Sequence, residues 1–147
     1  MRLYALLILF LLNTSFFILQ GQSNLPRIIV STDVGGDDPD DFQSLVHLFV
    51  YADKFQIEGL ISSPPSKGRK AAILEAIDAY DKDFESLKKQ SSKYPAPDSL
   101  RNRTKQGAIE PQNHKTPQKI SDGAHYIIER AKKDSTSPLW ILVWGSI

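Results

Sequence analysis

The chain has 147 residues, 41% hydrophobic and 24% charged, a globular composition long enough to bury a core. Its 18 basic and 17 acidic residues leave a formal net charge of +1, which gives no reason to expect nucleic acid or an anionic membrane surface as partner. No cysteine is present, so disulfides and thiolate metal sites are excluded as well.

Arg2 supplies a short positive segment, and Leu3 to Leu12 is almost wholly apolar. Phe16 to Leu19 extends that run past Asn13-Thr14-Ser15, and Gly21-Gln22-Ser23 restores polarity. This is the pattern of a secretory signal peptide over residues 1–21, with cleavage between about Gly21 and Asn24. The competing reading is an uncleaved anchor helix, for which the interrupted run is marginal in length. The expected location is therefore secreted or periplasmic, with no membrane contact after cleavage. The mature domain spans residues 22–147.

Arg27 to Thr32 is a short β-branched run and predicts a buried strand. Asp33 to Asp41, with Gly35-Gly36 and Pro39, predicts a loop. A helix follows, with Pro39 suited to its first position and Asp40 and Gln43 spaced as a capping box. Phe42, Leu45, Val46 and Phe49 form its apolar stripe. Gln56 to Ser62 predicts a second strand, ended by Pro64-Pro65. Lys67 to about Leu87 predicts a long amphipathic helix carrying Ile73, Ile77, Tyr80, Phe84 and Leu87 on one stripe.

Lys88 to Lys119 is polar and proline-punctuated, so it predicts a loop with room for a short helix from Asp98 to Lys105. Within it, Asn102-Arg103-Thr104 has the form of a glycosylation sequon. Ser121 then caps a helix whose expected inner face is Ala124, Ile127, Ile128 and Ala131. Leu139 to Trp144 predicts a third strand, with Trp140 and Trp144 as core residues because parallel strands are buried on both faces. Strands alternating with helices predict an α/β fold, an open, mainly parallel sheet with flanking helices. No covering helix follows that strand, so the expectation is the N-terminal part of a longer domain.

The chemistry concentrates at the first strand end. Asp33, Asp37, Asp38, Asp40 and Asp41 put five carboxylates into nine positions. Open α/β sheets place ligands at the carboxyl ends of their strands. Carboxylates this close repel one another unless a cation relieves them, and an all-oxygen donor set favours Ca²⁺ or Mg²⁺ over zinc. A capped, solvated helix N-terminus accounts for one or two of these aspartates. It does not account for Asp33 at the strand end with two glycines behind it. His47 beside apolar helix neighbours reads as a packing residue, and His114 and His125 lack metal-ligand spacing. Gly35-Gly36 has no phosphate-loop context.

The run from Ser31 to His47, Ser-Thr-Asp-Val-Gly-Gly-Asp-Asp-Pro-Asp-Asp-Phe-Gln-Ser-Leu-Val-His, resembles the nucleoside-hydrolase-like domain of secreted proteins described as cellulose-binding. More distantly, it resembles the metal loop of the inosine-uridine preferring nucleoside hydrolases. The likeness continues through Ile57 to Pro64, Ser121 to Ala124 and Leu139 to Gly145.

The nucleoside hydrolase loop reads Asp-x-Asp-x-Gly-x-Asp-Asp. Ser31 departs from it at the first aspartate, and Asp33 matches the second. Spacing from Asp33 aligns the final pair with Asp37-Asp38, whereas spacing back from the helix and from Gly59 aligns it with Asp40-Asp41. In the preferred second register, the resemblance implies that Asp33 and Asp41 bind Ca²⁺. Asp33 would also activate the attacking water, and Asp40 would hold sugar hydroxyls. It further implies that the remaining metal ligands and the leaving-group acid lie in a C-terminal half outside this stretch.

Two functions follow from the resemblance. One is a secreted, Ca²⁺-dependent hydrolase of glycosidic, N-glycosyl bonds. The other is a carbohydrate-binding module for cellulose or another polysaccharide that has lost turnover. The expected partner is a small sugar, nucleoside or polysaccharide, and no nucleic acid.

Overall fold

Alternating strands and helices assemble into one four-stranded sheet with helices on both faces. The computed structural model describes residues 25–35, 39–63, 69–109, 119–133 and 136–145. The apolar leader, Asp37, Asp38, Pro64-Pro65 and His114 lie outside the described residues. In chain order the elements are β1 (Arg27–Thr32), α1 (Asp40–Val50), β2 (Gln56–Ser62), α2 (Lys70–Gln90), α3 (Pro97–Arg103), β3 (Thr104–Gln106), α4 (Asp122–Lys132) and β4 (Leu139–Val143).

The strand order is β3-β2-β1-β4 and every neighbouring pair is parallel. The chain steps outward from β1 to β3, then returns to the far side of β1. The strand order therefore reverses between β1 and β4, and the crevice at such a reversal is where open α/β sheets bind ligands.

One sheet face carries the main core. Ile28 and Val30 of β1 and Ile57 and Leu60 of β2 pack against Leu45, Leu48 and Phe49 of α1 and Ile73, Ala76, Ile77 and Tyr80 of α2. The helical spacing of those residues builds that layer. Tyr80 stays satisfied when buried because its hydroxyl donates to the Pro95 carbonyl oxygen at 2.8 Å.

The opposite face packs against α4 through small residues. A Cβ on Gly123 would stand 2.5 Å from Ile61 Cγ2 and 3.0 Å from Gly107 Cα. The Tyr126 ring lies over Gly59, and its hydroxyl donates to the Glu58 carbonyl oxygen.

A bulge interrupts the β1–β2 ladder between Ile28 and Ile29 and leaves Glu58 as the extra residue. Glu58 is 1% exposed, and its carboxylate accepts from Arg27 Nε at 2.6 Å, Arg130 Nε at 2.8 Å and Gln56 Nε2 at 3.1 Å. Burial alone pushes this carboxyl up, but the hydrogen bonds from Arg27 and Arg130 outweigh it and hold the group below its ordinary value. Arg27 also donates to the Ser137 carbonyl oxygen, so this network ties β1, β2, α4 and the approach to β4 together.

Several expectations are corrected. Pro39 occupies the cap position of α1 and no side chain caps that helix. Asp40 instead accepts from the adjacent Asp41 amide, so the capping box does not form. The short helix expected in the long polar segment is α3, but a further strand, β3, follows it, with Thr104 fully buried and its hydroxyl donating to the Leu100 carbonyl oxygen. The sequon is thus folded into the α3–β3 junction.

On α4, Ile128 and Ala131 face solvent, while Gly123, Tyr126 and Arg130 make the inward contacts. Ser121 does cap the helix, accepting from the Ala124 amide. Trp140 is 58% exposed rather than core, because among the described residues β4 pairs only with β1, at the edge of the four strands. Trp144 is partly buried against the core.

Candidate functional site

Three features bring the aspartates to the β1–β4 crevice. Val34 is 1% exposed and belongs to the core, which anchors the loop directly after Asp33. The Val34 amide donates to the buried Thr32 hydroxyl at 3.3 Å, and Gly35 takes a φ of 94° that a side chain would resist. These constraints turn the chain sharply off the strand and leave Asp33 at its carboxyl end. Helix α1 then begins so that its second residue, Asp41, returns to Asp33.

The Asp41 carboxyl lies beside the Asp33 carboxyl and the Thr32 hydroxyl. Burial, the hydrogen bond with Asp33 and the charges of Asp33 and Asp40 push the Asp41 carboxyl up to about 7. A second carboxylate this close makes ionisation of Asp41 costly. Asp40 is exposed at the start of the helix. Of the expected residues, the structure therefore brings Asp33 and Asp41 together, keeps Asp40 beside them, and leaves Asp37 and Asp38 undescribed.

On the β4 side, Gly145 lies against Asp33. A Cβ there would stand 2.7 Å from the Asp33 carboxylate carbon, so any side chain would displace that carboxylate from its present position. Nothing in the sequence alone singles out Gly145 for this role, because the contact exists only once β4 crosses back beside β1.

A cavity of about 600 Å³ runs from Asp40 and Asp41 along α1, between that helix and the β1–β4 face. Its wall includes Ser44, His47, Tyr51 and Trp144, over a floor of Ile28, Leu48 and Leu142. His47 is exposed on this wall, which corrects its reading as a packing residue. Leu48 and Phe49 beside it take the buried positions.

Asp33 and Asp41 fit part of a hard-cation site. They offer paired carboxylate oxygens at a strand end, Asp33 holds Asp41 above its ordinary value, and Asp33 faces a backbone cleared of side chain at Gly145. Among the described residues no cluster of three or more histidine, aspartate or glutamate side chains is arranged to hold a metal ion. The described carboxylates thus amount to two ligands rather than a full set.

Comparison with known proteins decides the family. The model of the Sde182 cellulose-binding family, nucleoside hydrolase-like domain, matches residues 27–147. The chain belongs to this family. A solved nucleoside hydrolase-related protein from Saccharophagus degradans, associated with carbohydrate metabolism, is 30% identical and superposes with a TM-score of 0.71. The match covers 82% of this chain and 30% of that one, so this Sde182-type domain spans under a third of that relative's length. No curated protein matches. The parallel sheet with flanking helices is the nucleoside-hydrolase-like architecture that the family description names.

Proposed function

We propose that the Asp33–Asp41 site binds Ca²⁺ and the ring of a sugar, and that it serves the hydrolysis of a glycosidic, N-glycosyl bond in an exported protein. The observation that carries this reading is the carboxyl pair at the strand-order reversal, with Asp41 pushed up to about 7. Asp33 and Asp41 would hold the cation. Bound there, it supplies positive charge that offsets the pair and polarises oxygen ligands.

The chain's own residues have separate tasks. Asp33 accepts the proton of the attacking water as the water oxygen bonds to the anomeric carbon and the bond to the leaving group breaks. Asp41 would supply the second carboxylate of the pair, beside Asp33. Asp40, exposed at the cavity mouth, accepts from ring hydroxyls.

Binding without turnover is the second reading. It is supported by Ser31 standing where nucleoside hydrolases carry another aspartate, by the two-carboxylate site, and by a family description that names cellulose binding. Incubating the full chain and Ca²⁺ with nucleosides and with short β-1,4-glucans, followed by chromatography, separates the two. Release of free sugar that disappears in Asp33→Asn supports hydrolysis. Retention of a glucan with no cleavage supports the binding module, and neither outcome with either probe overturns both.

A further inference from the structure

Asp33 is flanked on its β2 side by a second polar group. The register pairs Thr32 with Ser62 and Ser31 with Val143. One residue beyond the first pair and two beyond the second, Ser63, Asp33 and Gly145 therefore stand in a row across three strand ends. Two backbone hydrogen bonds extend the ladder to this row, from the Ser63 amide to the Thr32 carbonyl oxygen at 2.8 Å and from the Trp144 amide to the Ser31 carbonyl oxygen at 2.9 Å.

Strand alternation puts Ser63 on the same face as Gly59 and Ile61. Among the described residues, the Ser63 hydroxyl is the buried side-chain polar group with no hydrogen-bond partner. An orphaned buried hydroxyl is costly, and nearly all such groups find a partner. Here it sits at the carboxyl edge of the sheet, in register with Asp33 on the neighbouring strand, where a ligand that reaches the strand ends can supply that partner.

We propose that Ser63 is a sugar-contacting residue: its hydroxyl bonds one member of a vicinal diol while the Asp33 carboxylate accepts from the other. Neighbouring strands lie about 4.8 Å apart, a spacing that two adjacent ring hydroxyls can bridge. A neutral hydroxyl both donates and accepts, which suits a sugar. The cation is drawn instead to the charged pair of Asp33 and Asp41. This inference rests on the sugar-binding reading of the site given above, and its test keeps the two apart.

The test uses the full chain, with Ca²⁺ alone as one titrant and uridine or cellotetraose in saturating Ca²⁺ as the other. Ser63→Ala is expected to keep Ca²⁺ affinity within about twofold, to weaken the sugar probe about tenfold, and to melt no lower than wild type without ligand. Removing an unsatisfied hydroxyl does not destabilise a fold, so a loss of sugar affinity with unchanged melting marks a ligand contact. Sugar affinity equal to wild type overturns the Ser63 assignment and leaves the site reading standing. A loss of Ca²⁺ affinity makes Ser63 a cation ligand and also overturns it. Wild type that binds Ca²⁺ but neither sugar removes the sugar-site reading and the Ser63 proposal together.

Discussion

Burial and the neighbouring carboxylates push the Asp41 carboxyl up to about 7. Its folded value lies above its ordinary one, so the cation-free folded state binds more protons than the unfolded chain between about pH 4 and 7. Stability should therefore fall as pH rises through that window and level off above it. Asp41→Asn should flatten the slope and stabilise the cation-free protein by about 1 kcal/mol at pH 8, a figure discounted for solvent screening. Thermal melts at several pH values without divalent cations check this, and a slope unchanged in Asp41→Asn contradicts it. Gly145→Ala pushes a methyl group into the Asp33 carboxylate, so it should weaken Ca²⁺ binding while shifting the melting temperature little. Equal affinity in that variant would mean that the glycine is incidental. The acidity of the loop could be read from residue types alone, and so could Asp33 at a strand end. The partnership of Asp33 with Asp41 and the clearance at Gly145 could not, because both depend on how the helix start and a distant strand return to β1.

Elements were readable where periodicity was strong. β1, β2 and α1 fall where alternating and helical apolar patterns place them. β3 escaped because it is three residues long and mostly polar, and its strand identity comes from pairing Thr104 with Leu60 rather than from its own pattern. The inner face of α4 was misassigned because glycine and arginine do the packing there. Glu58 reads as an ordinary strand residue in sequence, yet the bulge and two arginines make it the buried hub of four elements. Glu58→Gln leaves Arg27 buried without its counter-charge and should cost about 3 kcal/mol, whereas Arg130→Met, at a more exposed partner, should cost about 1 kcal/mol. Glu58 is held below its ordinary value, so its contribution is present above the unfolded carboxylate range and is lost as pH falls through the folded value. Denaturant melts of both variants at neutral pH test the ranking, and equal costs would sink it. Gly123→Ala should destabilise by about 1–3 kcal/mol through overpacking against Ile61.

For the whole molecule, the fold class was readable because every crossover carries a helix, and parallel order follows from that. The burial of β4 was not, since an apolar strand looks the same in sequence at the centre or the edge of a sheet. Its edge position leaves Trp140, Ile141 and Val143 at 58%, 44% and 51% exposure. Exposed apolar edges promote association, so the isolated chain should self-associate as its concentration rises, and Ile141→Lys should suppress this. Sedimentation at several concentrations would reveal it, and a wild type that stays monomeric throughout contradicts the expectation. The same β4 carries Gly145 to Asp33, so sheet order and site are one arrangement. The central claim is that Asp33 and Asp41 form the cation-binding pair. Calorimetric titration of Ca²⁺ into wild type, Asp33→Asn, Asp41→Asn and Asp37→Asn tests it most directly. The account predicts that Asp33→Asn and Asp41→Asn abolish binding while Asp37→Asn largely keeps it, and binding retained by Asp41→Asn but lost by Asp37→Asn would contradict it.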